Sequence, residues 1–139
     1  MSNIDQDQKP IVIDNGSDMV KAGYGDEEHP RSVFRSIIAK PRSKRTLLSD
    51  DGDNDTLWIG DEALQRKGIY DVSYPVEYGI VNDWNDMEKI WSHTFDHELR
   101  DRPSEHPVLL TEAPMNPKNN REWMTSIMFE KYEVPELSI

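Results

Sequence analysis

A chain of 139 residues suits one ordinary domain, large enough to bury roughly two-thirds of its unfolded surface. Its 27 acidic and 16 basic residues leave a formal net charge of -11, a field that repels nucleic acid and anionic lipid and favours basic partner surfaces. Cysteine is absent, which excludes a disulfide framework, a thiolate metal centre and a thiol nucleophile, and leaves any catalysis to other groups.

Met1 to Gln8 form a polar, acidic arm with no apolar core of a leader, and no run of about 18 apolar residues occurs anywhere, so a soluble intracellular protein is expected. The β-branched run Ile11-Val12-Ile13 meets Asp14-Asn15-Gly16-Ser17 and resumes at Met19 to Tyr24, which predicts two strands joined by an Asn-Gly hairpin turn. After a second turn, Gly25 to Pro30, the segment Val33 to Ile38 predicts a third strand ending before Pro41. The stretch from Lys40 to Asp55 carries four basic residues, Lys40, Arg42, Lys44 and Arg45, and then four acids, Asp50, Asp51, Asp53 and Asp55, the pattern of an exposed excursion.

Leu57-Trp58-Ile59 predicts a short strand. Gly60 to Gly68 predicts a short helix with an acidic first turn, a basic last turn and a terminating glycine. Trp84, Met87, Trp91 and Phe95 recur at helical spacing, and Asn85 with Glu88 resembles a capping box. Val108 to Thr111 predicts a buried strand, and Asn116-Pro117 a cap and first-turn proline for a helix through Trp123, Met124, Ile127 and Met128 that Pro135 stops. Hairpins mixed with helices in this way suggest an α/β or α+β domain, with no internal repeat.

Four segments, IVIDNGSDMVKAGY, IGDEA, YPVEYGIVNDWNDMEKIWSHTF and HPVLLTEAPMNPKNNREWMTSIMFE, closely resemble actin and its nearest relatives, in the same order and at near-constant spacing. The resemblance covers almost everything from Ile11 onward. It implies a two-lobed, ribonuclease-H-like ATPase fold of the α/β class that holds ATP or ADP with Mg²⁺ or Ca²⁺ between its lobes and assembles into cytoplasmic, cytoskeletal filaments. This chain looks like the first part of such a fold, ending at VPELSI: residues 1–39 as an arm and hairpin part of the outer lobe, 40–73 as a small projecting subdomain, and 74–139 as the helical remainder. The family's water-positioning Gln and second phosphate loop would lie beyond Ile139, so no hydrolytic residue is expected within these residues and the chain alone should bind nucleotide weakly or not at all.

The turn between the first two strands reads in two ways. Converging backbone N–H groups can cradle phosphate oxygens, a Ser hydroxyl can donate to the terminal phosphate, and a nearby Lys neutralises charge. The same residues also suit an ordinary hairpin. The resemblance favours the first reading and implies that Asp14, Asn15, Gly16, Ser17, Asp18 and Lys21 line the nucleotide, with Asp14 ordering water on the divalent ion. One departure is Asp18, where the family usually has a second Gly; its side chain and charge would crowd and repel phosphate unless something compensates. Tyr78 stands where the family often has His, and the Arg42 to Asp55 loop is acidic rather than Gly- and Met-rich, which bears on conventional polymerisation.

Other constellations are weaker. His93 and His97 have the i, i+4 spacing of a zinc pair but no third ligand. Asp51, Asp53, Asp55 and Glu62 match positions 1, 3, 5 and 12 of a calcium loop, but Thr56 occupies the place of its turn glycine. The basic run from Lys40 to Arg45 lacks the interleaved aromatics of a nucleic-acid site. The sequence thus supports an actin-like cytoskeletal protein contributing one wall of an ATP cleft. The rival is a non-enzymatic module that binds actin or actin-binding proteins without nucleotide, self-association being the other partner mode; nucleic acid and membrane are not expected partners.

Overall fold

The computed structural model describes residues 9–41 and 57–139. The predicted acidic excursion from Arg42 to Asp55, with Asp51, Asp53 and Asp55 of the calcium pattern, lies outside the described residues. The fold is mixed α/β. Strands β1 (Ile11–Asn15), β2 (Met19–Tyr24) and β3 (Ser32–Arg35) form an antiparallel meander; β9 (Val108–Leu110) adds parallel to β1, and β10 (Leu137–Ser138) adds parallel to β9. The sheet order is therefore β10-β9-β1-β2-β3, a mixed sheet.

Alternation decides which face is buried. Ile11, Ile13, Val20, Ala22 and Phe34 point to one side, where they meet Met87, Ile90 and Trp91 of helix α2 (Trp84–His93), Phe95 just beyond it, and Met124 of α3 (Lys118–Ser126) with Ile127 and Met128. Val12, Asp14, Lys21, Val33 and Leu109 occupy the other side, where Lys21, Val33 and Leu109 are exposed.

A second, three-stranded sheet consists of β5 (Trp58–Ile59), β4 (Ile38–Lys40) and β6 (Asp71–Ser73), all antiparallel, with the short helix α1 (Asp61–Gln65) against it. Its small core is Ile37, Ala39 and Ala63 under Trp58, Tyr70 and Val72. Successive side chains on one strand face opposite ways, so Ile38 joins the large core while its neighbours Ile37 and Ala39 join the small one. Asp86 of α2 fastens the two parts together: its buried carboxylate takes the Lys40 ammonium from β4 and the Ser73 hydroxyl from β6, the latter at 2.8 Å.

Several expectations change in detail. The single strand predicted over Val33 to Ile38 is two strands in different sheets, because Ile37 N–H turns back to the Arg35 carbonyl (3.0 Å) and Ser36 N–H bonds the Asp18 carbonyl (2.9 Å), which bends the chain at Ser36. The cap of α2 is Asp83, whose side chain accepts from Asp86 N–H at 3.1 Å, and not Asn85, which lies inside the helix. Helix α1 ends at Gln65, before the basic residues predicted for its last turn. Pro117 stands at the N-cap of α3, one residue before its first helical position, so Asn116 lies outside the cap and no side chain caps this helix. The helix continues in π form through Lys131, and Glu133, at φ 53, turns the chain before Pro135 is reached.

Strands β6 and β10 and one short hairpin had no sequence reading, and the helix predicted through Phe95 changes form beyond His93. α2 runs on as a π-helical segment, Thr94–Leu99, and Val76–Glu77 (β7) pairs with Ile80–Val81 (β8) across a two-residue tip. That tip, Tyr78-Gly79, has φ values of 53 and 79, the positive pair of a type I′ turn, whose twist matches that of the flanking strands.

Candidate functional site

Three chain segments meet where the parallel strands β1 and β9 end. Thr111 N–H extends the ladder by bonding the Ile13 carbonyl at 3.1 Å, which sets the Thr111 hydroxyl beside the end of β1. That hydroxyl donates to Asp14 Oδ1 at 2.8 Å and accepts the Asn15 N–H at 3.0 Å, so its proton and one lone pair are both engaged. Asn15 is held from below as well, its Oδ1 accepting from Trp91 Nε1 of α2 at 3.0 Å. Open sheets place ligands in such crevices outside the carboxyl ends of their strands.

The turn itself is Gly16 to Asp18, three residues rather than the two that an Asn-Gly hairpin predicts, because Asn15 stays in the ladder opposite Val20. Gly16 does not adopt a positive φ. Its glycine is required by close approach: Gly16 N–H bonds the Met19 carbonyl at 3.1 Å, and a Cβ would sit 2.3 Å from that oxygen. Ser17 Oγ accepts the N–H of Gly79 at 2.7 Å, which ties the turn to the β7-β8 tip while the hydroxyl keeps its own proton to donate. Gly79 in turn lies against Ala113, just past Thr111; a Cβ at position 79 would come within 2.9 Å of the Ala113 Cβ.

Asp18 is not in the left-handed region, so the backbone carries a side chain there without strain. Its carboxylate is strongly exposed and lies 3.6 Å from Arg35 Nη1, while Arg35 Nε reaches Asp61 Oδ1 at 3.2 Å. Lys21 is directly opposite Asp14 in the ladder and exposed on the same face. The end of the sheet thus carries two acids, Asp14 and Asp18, and two cations, Lys21 and Arg35.

Of the predicted site residues, Asp14, Asn15, Gly16, Ser17 and Asp18 are contiguous around this end of the sheet, with Lys21 one register step back. Asn15 differs from the others, since its side chain is spent on Trp91 and on a long 3.5 Å contact with the Thr111 carbonyl. Sequence reasoning missed Thr111, Gly79 and Arg35. A Thr closing a buried strand was the available signal for the first, and Tyr-Gly between two short β-rich pairs for the second; Arg35 had none.

The zinc-spaced pair, His93 and His97, meets no third ligand among the described residues. His93 and His97 rings lie 5.3 Å apart, and His93 Nε2 meets Glu98 Oε1 at 3.0 Å, an i, i+5 pairing that the π-helical turn brings into line. Glu98 Oε2 also accepts the Ser32 hydroxyl at 2.6 Å, joining this helix to β3. Among the described residues, no group of three His, Cys, Asp or Glu side chains is placed to hold a metal ion.

A family model described as Actin matches residues 5–139. The chain belongs to the actin family. Members of this family are generally cytoskeletal and cytoplasmic, and bind ATP or ADP with a divalent cation. Actin-related partners and self-association are the associations that membership suggests. No helix among the described residues of this actin-family chain is long and apolar enough to cross a membrane.

Proposed function

We propose that this actin-like chain supplies one wall of an ATP-binding cleft, with residues 16–18 facing the phosphates, in the ribonuclease-H-like arrangement of an outer lobe (1–39 and 74–139) and a projecting subdomain (40–73). The observation that carries this reading is the convergence of the Gly16 to Asp18 turn, the Thr111-held Asp14 and the Gly79 tip at the carboxyl ends of β1 and β9. Ser17 retains a proton to donate to a terminal phosphate oxygen, and Lys21 adds the positive charge.

The residues suit a hard divalent ion held through water. Asp14 is an oxygen ligand, and with Oδ1 accepting from Thr111 its second carboxylate oxygen is left to accept from such a water. The ion, when bound, neutralises charge on the phosphates. Asp14, Asn15, Gly16, Ser17, Asp18 and Lys21 are the residues assigned to the site, and no residue is assigned a hydrolytic role.

One wall leaves phosphates and adenine largely in water, so affinity in these 139 residues is low, and a site-resolved probe is needed. On titration with millimolar Mg-ATP, the amide resonances of Gly16, Ser17 and Lys21 should move together with those of Gly79 and Thr111, and Ser17→Ala should weaken the response. Shifts absent from the turn, or confined to other parts of the chain, would falsify the assignment.

A further inference from the structure

We propose that Arg35 is a positioning residue for the phosphate turn: it draws the Asp18 carboxylate onto β3 and away from the turn's N–H groups, so that an acidic residue in that turn remains compatible with an anion. The inference rests on the reading of residues 16–18 as phosphate-facing.

The geometry has three parts. Met19 pairs with Arg35 across the β2-β3 ladder, so Arg35 stands directly across from the residue that follows Asp18. The Asp18 carbonyl accepts Ser36 N–H at 2.9 Å, which locks the backbones of the turn and of the bend after β3 to each other. Within that fixed frame the guanidinium spans two acids, with Nη1 3.6 Å from Asp18 Oδ1 and Nε 3.2 Å from Asp61 Oδ1 at the start of α1. A planar fork with five donors serves two carboxylates at once, which a lysine ammonium on a flexible stem does less well.

A structural role in stability does not account for the arrangement. All three side chains are well exposed, and ion pairs of this kind contribute little to folding. What the pair does change is the local field. Unpaired, Asp18 would set a full negative charge within the screening length of about 8 Å of any phosphate held by its neighbour Ser17. Paired with Arg35, it sits beside a positive charge and is directed toward β3. The absence of a positive φ at Asp18 removes the steric objection to a side chain there, which leaves charge as the feature that needs compensation.

The test is a double-mutant cycle on the 139-residue chain, read as the shift of the Gly16 and Ser17 amides per unit of Mg-ATP, with inorganic tripolyphosphate in parallel to separate phosphate from adenine contacts. Arg35→Gln should reduce the response about five-fold, the order expected of one unit charge about 4 Å from another in water. Adding Asp18→Asn should restore most of it, and Arg35→Lys should keep an intermediate response. Far-UV circular dichroism and thermal midpoints should be nearly unchanged across the set, which separates positioning from folding. Equal responses for wild type and Arg35→Gln would overturn the inference while leaving the phosphate turn intact. So would an equal loss with and without Asp18→Asn, because Arg35 would then act on the phosphate itself. No response at the turn in any protein of the set would overturn both readings.

Discussion

Ser17 Oγ accepts the backbone N–H of Gly79 at 2.7 Å, a bond spanning 62 residues of sequence that fixes the β1-β2 turn to the tip of the β7-β8 hairpin. Gly79 is required on two counts, a φ of 79 and an Ala113 contact that leaves no room for a Cβ. Gly79→Ala should therefore destabilise the chain by about 1–3 kcal/mol, the usual scale for backbone strain at one position. It should also reduce the Mg-ATP response of Ser17. Urea denaturation monitored by tryptophan fluorescence measures the first effect. An unchanged midpoint would show that the tip is free to move away from Ala113.

Thr111→Val keeps the shape of the side chain and removes the hydroxyl that Asp14 and Asn15 N–H share. Both bonds are open to water, which can replace the lost partner, so the loss should be only about 0.5–1.5 kcal/mol. Thr111→Ser, which keeps the hydroxyl, should recover most of the loss. If valine and serine behave alike, the hydroxyl is not what holds the end of β1.

How much of this was legible in the sequence depends on the range of the interaction. The hairpin, the α2 stripe of Met87, Trp91 and Phe95, and the buried strand at Val108 are written in alternation and in 3.6-residue spacing, both local signals. Asp14, Gly16 and Ser17 are assigned to the proposed phosphate turn through the family resemblance rather than through the hairpin rule, which mistakes the reason for Gly16: the constraint is the Met19 carbonyl, not a positive φ. Thr111, Gly79 and Arg35 reach the turn through strand order and register, which a single sequence does not display. The split of Val33 to Ile38 into two sheets was hidden for the same reason, since the Asp18 carbonyl that bends the chain there lies half a hairpin away.

Asp86 is the fastening between the two sheets, buried at the start of α2 with Lys40, Ser73 and the more distant Lys89 (3.8 Å) around it. Asp86→Ala removes a buried acceptor and leaves Lys40 without its partner. Breaking buried pairs costs about 3–5 kcal/mol, and because Lys40 is more than a third exposed the lower part of that range or somewhat less is expected. Hydrogen exchange should accelerate first in β4 and β6. Uniform acceleration across all strands would mean that Asp86 supports the whole fold rather than the junction.

Asp101 sits among Tyr24, His106 and the Arg102 amide. Burial pushes its carboxyl up, but the Tyr24 hydroxyl (2.6 Å), the Arg102 N–H (2.8 Å) and His106 outweigh burial and hold it below the usual carboxylate range. A depressed folded-state pKa stabilises the fold at pH above the unfolded value of about 3.9 and loses that contribution as pH falls through and below it. Tyr24 has the opposite sign: burial first, then its bond to Asp101, push the phenol up to about 12, and burial does the same to Tyr132. Their contribution is complete below pH 10 and is lost between about 10 and 12. Tyr24→Phe should flatten part of both limbs of the stability profile. A profile unchanged at both ends would remove Tyr24 and Asp101 as its determinants.

Apolar surface remains open on this chain. Leu109 on the outer sheet face is 40% exposed beside half-buried Val12, and Trp123 on α3 is 55% exposed although it stacks on Trp84 with ring centres 6.2 Å apart. Exposed apolar surface of this kind favours association, and a net charge of -11 opposes it. The opposition has a range of about 10 Å at 0.1 M salt and about 3 Å at 1 M, whereas apolar contact is not screened. Self-association should therefore rise with ionic strength, and Leu109→Thr with Trp123→Gln should lower it without changing the net charge. Static light scattering over a sodium chloride series decides the matter. A mass that stays monomeric at every salt concentration would show that neither Leu109 nor Trp123 drives contact between copies.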